Sequence, residues 1–152
     1  MSVREFLRSE DTELALRVVI GGGIPLFLLG FLGFHREALL VMIGSTFISG
    51  IDIPAELPRK LRLMSVSLVT TPLIFAAVSY AYFYPPLFFL LLALLIFVIS
   101  FIAPFSFHFG KVAFMFNLAN MVALGFSVNL SSSDGIIRSA LLIFAGGLWY
   151  MI

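Results

Sequence analysis

Arg17 stands four residues before the run Gly21-Gly22-Gly23-Ile24-Pro25. Three glycines weaken helix propagation, and a proline removes a backbone donor and crowds the preceding turn. The run therefore predicts a kink or an unwound turn inside a hydrophobic segment. Broken helices expose half-helix N-termini that attract anions, and a guanidinium such as Arg17 can grip a carboxylate in a fork. On that reading Arg17, Gly22 and Gly23 bind a substrate. The same residues also have a packing reading, which we favour on the residues alone. Glycines let a neighbouring helix approach closely, and Arg17 can snorkel to lipid headgroups.

Two further constellations carry polar chemistry. Asn117 and Asn120 are three apart and share a helix face. Amides in an apolar segment should point inward, where they bind a substrate or, the simpler reading, tie two helices together. Asp52 ends a short segment rich in small polar residues, Gly44, Ser45, Thr46, Ser49 and Gly50. It could relay a proton. The structural reading, again preferred, pairs it with Arg59 and Arg62 or makes it a helix cap. Thr46 and Gly50 form a small-x-x-x-small pair that predicts close helix contact.

Enzyme chemistry finds little support. His35 and His108 are far apart, and no H-E-x-x-H, G-x-S-x-G or P-loop pattern occurs. The chain has no cysteine, which removes disulfides, thiol catalysis and cysteine metal sites. We expect no enzyme activity, no metal and no cofactor.

The elements that must position these residues are apolar. Between Arg62 and Lys111 there is no Asp, Glu, Lys or Arg. The whole chain is 61% hydrophobic and 11% charged, with mean hydropathy +1.14. One bilayer crossing needs about 20 apolar residues, so the uncharged stretch predicts two crossings broken by Pro85-Pro86. Continuous apolar runs, without alternation, favour helices over strands. Six segments are expected, at roughly 14–34, 37–53, 62–84, 86–103, 109–128 and 134–152. Their separators are turn residues. Ser2 with Glu5, and Ser131 with Asp134, are spaced as helix caps, and Pro72 should kink the third segment while nearby threonines satisfy the freed carbonyls. The fold class expected is all-α: a polytopic transmembrane helical bundle of about six helices, N-in and C-in. Residues 1–13 form a cytoplasmic interfacial segment and 14–152 the membrane domain, expected to belong to a longer chain.

Orientation follows from the basic residues. Arg4, Arg8, Arg17, Arg59, Lys60, Arg62 and Lys111 fall on one side, against Arg36 and Arg138 on the other, and the richer side is cytoplasmic. Tyr80, Tyr82 and Tyr84 should then mark the outer interface, and Trp149 and Tyr150 the inner one.

Ala15-Leu16-Arg17 opening the first segment, the short glycine-containing second segment, Pro58-Arg59-Lys60-Leu61-Arg62 opening the third and Gly110-Lys111 opening the fifth together resemble the membrane half of the fusaric acid resistance family, which includes the aromatic acid exporters. Where many members carry a glycine-threonine-glycine pattern after the basic turn, this chain reads Leu63-Met64-Ser65-Val66-Ser67, which leaves subfamily and substrate open. The resemblance implies a proton-driven secondary transporter that exports small organic, including aromatic, acids across the bacterial inner membrane. An anion channel on the same fold, and a non-transporting membrane anchor or assembly module for a cytoplasmic domain, are the alternatives. The expected partners are the lipid bilayer and a small organic anion. A second copy of the chain and a periplasmic adaptor protein are further candidates. A net charge of +1 without a basic stripe argues against nucleic acid.

Overall fold

The computed structural model describes residues 10–52, 56–105, 107–128 and 132–152. Among them are six α-helices and no strand: α1 (Glu10–Phe31), α2 (His35–Ile51), α3 (Leu57–Ala81), α4 (Pro85–Ile102), α5 (Phe107–Ser127) and α6 (Ser133–Met151), with a 3-10 turn at Ala103–Phe105 between α4 and α5. The described residues are all-α, with six helices at the expected places. Ser2, Glu5 and Ser131 lie outside the described residues.

The turns follow from local chemistry. α1 closes on Gly33, whose φ of +86° is a left-handed conformation that glycine adopts without a Cβ clash. The amides of Leu32, Gly33 and Phe34 donate back to carbonyls of the last turn. Pro85 and Pro86 lie inside the first turn of α4 rather than ahead of it, where proline sacrifices no helical hydrogen bond. α6 is capped by Ser132, which accepts from the Gly135 amide at 3.3 Å, so the cap falls one residue after the expected Ser131. α1 is described from Glu10, earlier than position 14.

The unwound turn expected in α1 is corrected. α1 runs unbroken through Gly21-Gly22-Gly23-Ile24-Pro25; tertiary contacts on the glycine face hold it helical where propensity alone would not. α3 runs through Pro72. Thr70 returns its hydroxyl to the Val66 carbonyl at 2.7 Å, but Thr71 Oγ1 has no protein partner.

The core forms around α2 and α6, which pack together and each against α1 and α3, with α5 on α2 and α3. Leu40, Phe47, Phe75, Val78, Ala119 and Ile143 belong to one buried cluster, and Ile48, Met64 and Leu68 to a smaller one. The α2–α6 approach is backbone against backbone. A Cβ on Gly44 would overlap the Ile143 carbonyl, and one on Gly146 would overlap the Val41 carbonyl. Thr46, expected in the close contact, is exposed, and Gly50 instead meets the Met115 side chain on α5.

The outer surface is apolar. Ile20, Phe27 and Phe31 on α1, Phe89, Leu90 and Phe97 on α4, and Leu73 on α3 are all exposed. Taken helix by helix, α3 is long and apolar enough to cross a membrane, with mean hydropathy 1.8 over its 18-residue window; Ala15–Phe31 and Pro85–Phe101 are shorter apolar stretches.

Two glycines should respond in opposite ways. Gly146→Val should destabilise the fold by about 1–3 kcal/mol or more, as overpacking does. Gly23 has nothing within 4 Å of its would-be Cβ, so Gly23→Ala should stabilise by about 0.5–1 kcal/mol through helix propensity. Thermal unfolding of both variants checks the pair; equal effects would contradict this packing.

Candidate functional site

Asp52 follows the last residue of α2 and is its C-cap; its amide donates to the Ser49 carbonyl at 3.0 Å. A carboxylate here is electrostatically misplaced, because the C-terminal end of a helix already carries partial negative charge. It is also buried, with its side chain 6% exposed. Such a charge persists only with partners. Three other helices supply them. Lys60, in the first turn of α3, pairs directly with Oδ1. Arg17 of α1 brings Nη1 to 3.9 Å from Oδ2. Tyr150, one residue before the end of α6, donates its hydroxyl to Oδ2 at 3.2 Å.

Lys60 is misplaced in the complementary sense: a cation at a helix N-terminus faces partial positive charge. Pairing Lys60 with Asp52 relieves both ends at once. Asp52 caps the helix end as expected, but its cation is Lys60 in place of the expected Arg59 and Arg62, by helical phase. Position 60 continues the buried stripe Met64, Leu68, Thr71 and Phe75 at three- and four-residue spacing, while Arg59 and Arg62 are exposed.

The three glycines have separate tasks. Gly21 lies one turn beyond Arg17 on the same face, and a Cβ there would come 2.6 Å from the Tyr150 ring. Its small size lets that ring lie against α1 with its hydroxyl on Asp52. Gly22 packs on α2, where its Cβ would meet Met42 and Ser45 at 3.4 Å. Gly23 faces outward and lines an open groove of about 620 Å³ with Phe27, Gly30 and His35. Of the expected substrate residues, Arg17 therefore joins Asp52 in one cluster, Gly22 lies in a helix contact, and Gly23 is on the surface.

Asn117 and Asn120 lie elsewhere, six and nine residues along α5 from Lys111. Asn117 is half-buried. Asn120 is buried, yet neither of its amide atoms has a protein partner. The expectation that it ties two helices together is corrected: its neighbours along α5, Ala119 and Ala123, pack into the apolar cluster with Phe75 and Val78. Ser45 and Ser49, by contrast, return their hydroxyls to carbonyls of their own helix at 2.8 Å, as does Ser139 at the same distance.

Chemically, the Asp52 cluster is a buried carboxylate carrying two cations and a phenol. Arg17 has 51% of its side chain exposed, so its guanidinium stands partly in solvent. Lys60 and Tyr150 are the members that sequence reasoning missed. The buried stripe of α3 was the available signal for Lys60; Tyr150 had none, since its role depends on where α6 ends. At the opposite end of the bundle Arg138 meets Glu37 at 2.9 Å. Comparison with known protein families, with curated proteins and with solved structures gives no match.

Lys60→Ala should cost about 1.5–3 kcal/mol of stability, because it strands a buried charge that now accepts a charged hydrogen bond. Arg138→Ala removes an exposed pair and should cost under about 1 kcal/mol. The double variant Lys60→Ala/Asp52→Asn should recover much of the first loss. Additive losses in that cycle would rule out the proposed Asp52 coupling.

Proposed function

We propose that the chain is a polytopic domain of the bacterial inner membrane, its six helices crossing with both ends on the cytoplasmic side, and that it exports small organic acids. Apolar side chains on α1, α3 and α4 face outward, more apolar surface than a water-soluble domain tolerates. The charged residues gather at the helix ends. Arg17, Arg59, Lys60, Arg62 and Lys111 stand at the Asp52 end, against Arg36 and Arg138 at the other. That imbalance orients the Asp52 end toward the cytoplasm. Tyr80 and Tyr84, whose tilted rings have centroids 6.1 Å apart, then lie at the outer interface.

The observation that supports the transport reading is the gathering of Arg17, Arg59, Lys60, Arg62 and Lys111 at the Asp52 end. On this reading the basic end draws organic anions to the cytoplasmic mouth of the bundle. A second reading, a membrane anchor without transport, is favoured by the structural roles of Arg17 and Gly22, since a residue occupied in packing need not touch a substrate.

Two experiments separate these. The chain has no cysteine, so Arg59→Cys and Phe83→Cys can each be labelled without background. The membrane reading expects impermeant reagents to reach them from opposite faces of an intact vesicle; labelling from one face removes it. In proteoliposomes, benzoate should move through the wild-type chain, and Arg17→Ala should slow it about tenfold, the loss of roughly one charged contact, while the unfolding temperature changes little. Absence of movement with and without a proton gradient leaves the anchor reading standing. Voltage-dependent current indifferent to the proton gradient points to a channel.

A further inference from the structure

The interior of the bundle holds polar groups that the helices do not satisfy. Asn120 is 3% exposed and Thr71 2% exposed. The Asn120 Oδ1 and Nδ2 atoms and the Thr71 hydroxyl all lack protein partners. Buried amides are almost always paired, and leaving both ends of one unmade is costly. Neither residue returns a hydrogen bond to its own helix in the way the nearby serines do.

The two residues stand at one level. α3 and α5 pack together and both start at the Asp52 end: Lys60 pairs with Asp52, and Met115 meets Gly50 two residues before Asp52. Phe75 and Phe126 touch edge to face at 6.3 Å. Thr71 lies four residues before Phe75 and Asn120 six before Phe126, so their heights differ by about 3 Å at 1.5 Å per residue. Charge is absent at this level: α6, packed on α3, carries Asp134 and Arg138 near its start and Tyr150 at its end. Of the helices packed against α5, α4 has no ionisable residue. α2 carries His35, Arg36 and Glu37 at one end and Asp52 beyond the other. α3 carries Arg59, Lys60 and Arg62 in its first two turns and Tyr80 at its far end, and on α5 itself His108 and Lys111 belong to the first turns.

We infer that Asn120 and Thr71 form an interior site for a carboxyl group in its uncharged, protonated form. This rests on the export reading and names the form in which the acid passes. A primary amide has one acceptor oxygen and two donor hydrogens. A protonated carboxyl complements it with two parallel hydrogen bonds: its O–H donates to Oδ1, and its carbonyl oxygen accepts from Nδ2. The Thr71 hydroxyl donates to a remaining lone pair. A carboxylate anion brings no donor and would carry an unpaired charge into an apolar core. In this conformation the site is closed, so admission requires α3 and α5 to part. Pro72, adjacent to Thr71, removes a helix hydrogen bond at that place and makes α3 yield there most readily. The proton then crosses on the acid itself, and the bundle needs no interior carboxylate to carry it.

A neutral mimic tests this. Benzamide presents the same donor–acceptor pair as benzoic acid at every pH. In proteoliposomes holding the full chain, benzamide should compete with radiolabelled benzoic acid, and transport should rise as the pH falls toward the acid's own ionisation. Asn120→Leu should keep or raise the unfolding temperature, since it removes an unpaired amide at similar volume. It should weaken benzoic acid competition about tenfold or more, the value of two modest hydrogen bonds. Thr71→Val should weaken it less. The inference is overturned if wild-type transport of benzoate proceeds but benzamide does not compete, or if Asn120→Leu leaves acid binding unchanged. The latter result would mean that the two side chains hold interior water only. If no acid moves through the wild-type chain at all, it is the export reading that fails, and direct binding of benzamide to the purified protein, lost in Asn120→Leu, still decides the site.

Discussion

Asp52 places a negative charge at the end of α2, where the helix dipole is already negative and water is nearly excluded. Everything at that end of the bundle is arranged to answer this one carboxylate. α3 must begin where its first-turn Lys60 reaches Oδ1, α6 must end where Tyr150 reaches Oδ2, and α1 must run close enough to bring Arg17 within 3.9 Å. Four helices are thereby registered by a single side chain. A buried ion pair contributes little net stability against its desolvation cost, but losing one partner is expensive. The cluster thus acts more as a constraint on arrangement than as a source of binding energy.

Small residues make the arrangement sterically accessible. Gly21 lets the Tyr150 ring lie on α1, and Gly44 and Gly146 let α2 and α6 approach backbone to backbone. Close backbone approach of this kind adds attraction through dispersion. The dense crossing of α2 and α6 and the polar cluster below it hold the same two helices at two heights. That leaves α3, α4 and α5 as the less constrained side of the bundle, with Pro72 and the unpaired Thr71 and Asn120 among them. The proposed export chemistry uses this division: a fixed cationic mouth and a yielding uncharged interior.

How much could be read beforehand differs by residue. Helix number and order are legible in the apolar runs and the turn residues that separate them, because turn chemistry is local. Boundaries moved by a few residues where capping decided them: Ser132 rather than Ser131, Pro85 inside α4 rather than before it. The glycine run was misjudged because intrinsic propensity favours a break, while the continuous α1 is held by contacts from α2 and α6 that no local window contains. Asn120 was read as a helix tie because an amide in lipid ought to have a partner, and the partner is not there.

The amino-acid sequence by itself determined what each segment is: apolar helices, polar turns, and basic residues gathered at one end. Those properties depend on side chains within a few residues of one another. Only the tertiary structure decided that Lys60 rather than Arg59 meets Asp52, that Tyr150 and Arg17 converge on the same oxygen, and that Thr71 and Asn120 face an interior without partners. Such relations depend on the rotation and height of one helix against another. Those are set jointly by every contact in the bundle, and residues distant in the chain become neighbours only after that packing is complete.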